Sequence, residues 1–166
     1  MRKTLELVGL GMLAVLYWIT WVAISGPNRL PDRVPTHFDI SGNPTAWGSP
    51  TILVLLPIVA TGVYLLITVL TLVPATRINL PVRVTPANLP FIQQQTRALM
   101  SWIKVEVACL FLYVQWSIIQ AVRDREFHIS PLMVPVFLVC VFGTVGVYLV
   151  LIVNGAKART DSFGSR

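Results

Sequence analysis

Four long apolar runs dominate this chain and leave it little choice of solvent. Residues 7–25, 51–73, about 103–122 and 132–153 each approach or exceed the ~20 residues that cross a ~30 Å hydrocarbon core, and the second and fourth hold no charge. With 55% hydrophobic residues, 12% charged residues and a mean hydropathy of +0.72, the 166-residue chain is too apolar for a water-soluble domain. The expectation is an all-α integral membrane protein, a four-helix transmembrane bundle with helices at about 5–25, 51–73, 101–122 and 131–153. Arg2-Lys3 ahead of a run ending Ala23-Ile24-Ser25 also describes a cleaved secretory signal. That run is longer than the ~7–15 apolar residues of a signal and contains Tyr17, Trp18 and Trp21, so it reads as a retained anchor.

Charge orients the bundle. With the N-terminus in the cytoplasm, the inner segments carry Arg2, Lys3, Arg77, Arg83, Arg97, Lys104, Lys157, Arg159 and Arg166, against Arg29, Arg33, Arg123 and Arg125 outside. The positive-inside rule then puts both termini in the cytoplasm. Residues 26–50 become an ordered extracytoplasmic loop, 74–100 a cytoplasmic connection and 154–166 a cytoplasmic tail. The net charge of +6 follows from this asymmetry, and its residues line membrane borders without forming an aromatic-laced basic stripe. Membrane lipids are therefore the expected partners, and nucleic acid is not.

In the third helix Glu106, Cys109, Tyr113, Ser117 and Gln120 follow at spacings of 3, 4, 4 and 3, which places them on one face. Polar groups in lipid are costly, so this face is expected to point into protein. Interhelical hydrogen bonding is the main reading, with a proton or substrate site lined by Glu106 as the alternative. Glu106 has Lys104 or Arg97 as possible partners, whereas Glu6 reads as interfacial beside Lys3. Cys109 and Cys140 are expected to be small buried hydrophobes at different depths, with no disulfide. Gly9, Gly11, Gly143 and Gly146 offer close helix approaches without a GxxxG spacing. In the connection, Asn88 can cap a helix with Pro90 in its first turn, and that helix can run unbroken into the third span.

The loop Leu30 to Gly48 is the one stretch with the composition of a structured polar site. Three prolines and two glycines argue for a compact form, and Leu30, Val34, Phe38, Ile40 and Trp47 are apolar groups to bury against helix ends. His37 is expected to join a network with backbone, Asp32, Asp39 or Asn43, and a metal shared by His37 and His128 is the lesser reading. No nucleophile elbow, zinc motif or phosphate-binding glycine pattern is complete, so no catalytic residue, enzyme activity, metal or cofactor is assigned.

The string Leu30 to Asp39, with Gly42-Asn43-Pro44 and Trp47-Gly48, resembles the outer-loop signature of the SdpI-type bacterial membrane proteins, in their N-terminal domain of unknown function. The resemblance singles out Pro35, His37, Phe38, Gly42 and Trp47, to which Asp39 is added from the loop chemistry. It implies a relation to immunity proteins that protect a cell from a secreted peptide toxin and signal through a membrane-bound repressor. Three function classes follow. The first is a binding, immunity-like or signalling module acting through the outer loop on a peptide ligand. The second is an accessory subunit bound to other membrane protein subunits, and the third, ranked last, is a transporter or membrane enzyme.

Overall fold

The computed structural model describes residues 2–41, 43–124 and 130–164, with the side chains of Phe38 and of residues 161–164 outside that description. It is a helical membrane protein with four helices long and apolar enough to span a bilayer. α1 is Arg2–Ser25, α2 Leu55–Leu70, α3 Leu89–Arg123 and α4 Met133–Gly164. A 3-10 turn, Pro50–Val54, leads into α2, with Ser49 Oγ accepting from the Thr51 backbone N–H.

α1 buries Leu5, Gly9, Leu13, Leu16, Thr20 and Ala23, a stripe at spacings of 4, 4, 3, 4 and 3 that follows the helical period. That stripe meets α3 and α2 in a closely packed trio, whose middle is Leu13, Leu16, Ala60 and Tyr64. Gly9 is required there. A Cβ on it would stand 2.8 Å from the Tyr64 ring. Gly11, Gly143 and Gly146 have nothing within 4 Å of a Cβ, so the expected close approach occurs at one glycine of the four.

α3 starts twelve residues before position 101 and is a single 35-residue helix. Asn88 precedes it but does not cap it with its side chain. Its amide reaches backwards instead, accepting from Thr85 N at 2.8 Å and donating to Arg83 O at 3.0 Å and Thr160 Oγ1 at 3.3 Å. The segment before α3 is thereby tied to α4, which continues as helix through residues 154–164, where a tail was expected. Ala75, Ile92, Ile152 and Ala156 form the core of this junction. Gly155 lets the Phe91 ring approach the α4 backbone, and the Arg159 guanidinium lies 3.8 Å from that ring's centre.

α4 is the least buried of the four helices and packs mainly on α3. The contact between Thr144 and Glu106 fixes their relative height. Cys109 then lies about 4.5 Å and Cys140 about 6 Å further towards the hairpin end, at ~1.5 Å per residue on antiparallel helices. The expected depth difference between the cysteines is thus overturned. α4 sits lower against α3 than its apolar run alone implied, because its C-terminal half is recruited by the connection.

Candidate functional site

The loop between α1 and α2 holds the one piece of sheet among the described residues. β1 (Val34–Phe38) pairs antiparallel with β2 (Pro44–Gly48), matching Val34 with Gly48 and Pro35 with Trp47. The register is irregular around His37, as a proline without an N–H one turn of the ladder away permits. The sequence reading gave a compact loop here and missed the strands; Val34-Pro35-Thr36-His37-Phe38 alternates too weakly to announce one.

Asp39 holds the hairpin tip. Its Oδ1 accepts from Ser41 N and Asn43 N, both at 2.9 Å, and its own N–H donates to Asn43 O at 2.9 Å. His37 plays no such part. It is exposed, and the bond found is Nδ1 with the neighbouring Thr36 Oγ1 at 3.3 Å, in place of the expected Asp32, Asp39 or Asn43. Gly42 and His128 lie outside the described residues, as does the Phe38 side chain, so the His37–His128 pairing falls outside them too.

The hairpin root packs into the bundle. Leu30 and Val34 are buried with Ala23, Leu53, Ile118 and Ile119, and Pro35 is fully buried beside them. Burying two aliphatic side chains contributes roughly 3–6 kcal/mol, enough to seat a short hairpin on helix ends. Ile40 and Trp47, expected to be buried as well, are 95% and 55% exposed. Ile40 lies beyond the last ladder pair, Phe38 with Pro44, in the turn that Asp39 holds.

Within the bundle the predicted polar face divides. Ser117 is fully buried with an unpartnered Oγ, Glu106, Tyr113 and Gln120 are half-buried, and Cys109 is exposed. Cys140 is exposed too, contrary to expectation, and neither cysteine is bonded. Glu106, Cys109, Tyr113 and Cys140 line one cavity of about 480 Å³ between α3 and α4, walled also by Met12, Leu110, Val136 and Phe137. Glu106 Oε1 accepts from Thr144 Oγ1, while its buried Oε2 has no partner.

Lys104 does not serve Glu106. It is 2% exposed and ion-paired with Glu6, which also accepts from Ser101 Oγ at 2.8 Å and Tyr64 Oη at 2.9 Å. Lys104 further donates to Thr68 Oγ1 at 3.3 Å and stands 4.8 Å from the Tyr64 ring centre. The sequence reading places Glu6 at the interface with Lys3; the missed signal is its place on the flank of the buried stripe of α1, one position after Leu5 and three before Gly9. A second polar contact crosses the bundle nearer the hairpin, where Gln115 Nε2 donates to Thr20 Oγ1 at 2.7 Å and Leu53 O at 3.2 Å.

A cleft of about 300 Å³ lined by Arg2, Arg97 and Lys104 opens beside the Glu6 cluster. Its cations suit anionic headgroups at a bilayer border. Among the described residues no three His, Cys, Asp or Glu side chains gather as a metal site.

No curated protein and no solved structure matches this chain. Residues 12–61, from the middle of α1 through the hairpin into α2, match the family model of a domain of unknown function, DUF1648.

Proposed function

We propose that the chain is a multi-pass binding module of the bacterial inner membrane, with both termini in the cytoplasm and its hairpin as an outer recognition element. One observation carries the reading: a hairpin whose root is locked into the bundle presents Ile40 and Trp47 outwards. Large apolar groups held in fixed positions in water are a favourable docking surface for an apolar peptide segment. Rigidity lowers the entropy that binding must overcome. The resemblance to SdpI-type proteins supports the same class, in which an immunity-like or signalling role belongs to a peptide ligand. Pro35, His37, Asp39 and Trp47 are the residues assigned to the element, with Phe38 and Gly42 by the same resemblance.

A second reading, an accessory subunit, is favoured by the sparse packing of α4, which leaves a long helix face for another subunit. Photocrosslinkers at Ile40 and at Val139 separate the two in native membranes. A peptide captured at position 40 and lost with Trp47→Ala supports the module. A stoichiometric membrane subunit captured only at position 139 replaces it with the second reading. Reporter fusions after Gly42 are expected to be active outside, and fusions after Arg83 and Arg159 inside; the reverse pattern overturns the orientation.

A further inference from the structure

Two carboxylates lie within the spans, and their hydrogen-bonding is unequal. Glu6 has Lys104, Tyr64 and Ser101 as donors, so both its oxygens are served and its charge is matched. Glu106 has Thr144 on Oε1, a neutral group, and nothing on the buried Oε2. A carboxylate oxygen in a low-dielectric interior without a donor costs several kcal/mol. The nearby lysine is already held by Glu6, and among the described residues no Lys or Arg lines the cavity that Glu106 borders. The hydroxyls of Tyr113 and Ser130 also line the cavity, but neither is bonded to Oε2, which leaves that oxygen open to a donor entering from outside.

The cavity describes what enters. Its volume of about 480 Å³ lies in the range of small-molecule sites, ~300–1,000 Å³. Its walls are Met12, Leu110, Leu132, Val136 and Phe137, and Glu106 stands at the end nearer the chain termini. Such a site is largely apolar along its length, with the Tyr113 and Ser130 hydroxyls on its border and the Glu106 carboxyl group at one end. We propose that it binds a cationic amphiphile, a protonated primary amine on a hydrocarbon chain, with the ammonium on Glu106 Oε2 and the chain along α3 and α4. An acyl chain of bulk lipid suits the walls but brings no donor, and a neutral alcohol brings a donor without the opposite charge. The proposal is independent of the hairpin's role.

The test uses the full chain in phosphatidylcholine nanodiscs, which contain no amine-bearing lipid able to donate to Glu106. Dodecylamine and dodecanol, each with a diazirine on the chain, are photolysed, and adducts are mapped by peptide mass spectrometry. Labelling of residues 105–113 and 132–140 is normalised to the lipid-facing Leu65-Leu66 peptide, which removes differences in partitioning. The amine is expected to label these segments about tenfold more than the alcohol, as a charge-assisted hydrogen bond provides. Glu106→Gln is expected to bring the amine down to the alcohol's level, and Val136→Trp to remove labelling by both. Equal labelling by amine and alcohol in the unsubstituted chain, amine labelling unaffected by Glu106→Gln, or adducts spread over the lipid-facing helices would each overturn it.

Discussion

The Glu6 and Glu106 neighbourhoods show how the same side chain serves two ends within one bundle. Glu6 lies where α1, α2 and α3 meet, with a cation, a phenol and a hydroxyl converging on it from two other helices. Glu106 faces α4, a helix that packs mainly on α3, and receives one hydroxyl. The first is a pinned polar joint between three helices. The second is a charge whose surroundings stop short of it. Helix convergence makes the difference: three helices can bring three donors to a point, and two cannot.

The comparison is broken most easily at its tighter side. Glu6→Ala leaves Lys104 buried without its carboxylate and is expected to cost about 3 kcal/mol, at the low end for a buried pair because Glu6 keeps 32% of its side chain exposed. The measurement is SDS-titrated unfolding in mixed micelles, followed by circular dichroism. The Glu6→Ala/Lys104→Met double variant should cost less than Glu6→Ala alone; if it costs more, the pair is not a coupled joint.

Gly9→Ala probes the same joint through its packing. Its new Cβ meets the ring of Tyr64, whose hydroxyl donates to Glu6, and a loss of roughly 1–3 kcal/mol is expected in the same assay. Gly11→Ala, facing open space on the same helix, should be neutral or stabilising by up to about 1 kcal/mol. Equal losses at the two positions would show that helix flexibility, and not contact with Tyr64, decides the outcome.

Glu106→Gln should have the smallest effect on folding, within about 1 kcal/mol of the parent chain, since Thr144 keeps an acceptor and a half-served charge is removed. A loss as large as that of Glu6→Ala would mean that Glu106 is a structural joint after all.

The helices were legible in the sequence because lipid imposes long apolar runs whatever the neighbours are. The partners of the polar residues were not. Spacings of 3 and 4 put Glu106, Cys109, Tyr113, Ser117 and Gln120 on one face, but that face meets α4 through Glu106 and Thr144 while leaving Cys109 exposed. Lys104 was readable as a partner for a carboxylate, and proximity in sequence pointed to Glu106; the helix packing chose Glu6, 98 positions away. In the hairpin, Leu30 and Val34 follow the expected burial, whereas Ile40 does not, since Asp39 and Asn43 turn the chain away from the bundle at that point. Hydrophobicity sets what a loop can bury, and turn chemistry decides which residues get the chance.

The junction of α4 with Asn88 and Phe91 gives that helix a mechanical character. It is clamped near Gly155 and Thr160, packs on α3 again at Val145 and Tyr148, and is sparsely supported only from Thr144 to Met133, a reach of about 16 Å at ~1.5 Å per residue. That free end is a short cantilever. Tilting it by about 10° at Thr144 would swing Met133 by about 3 Å over that helical length. The width of the gap between α3 and α4 therefore depends on a support at the gap's own inner end, the Thr144–Glu106 contact.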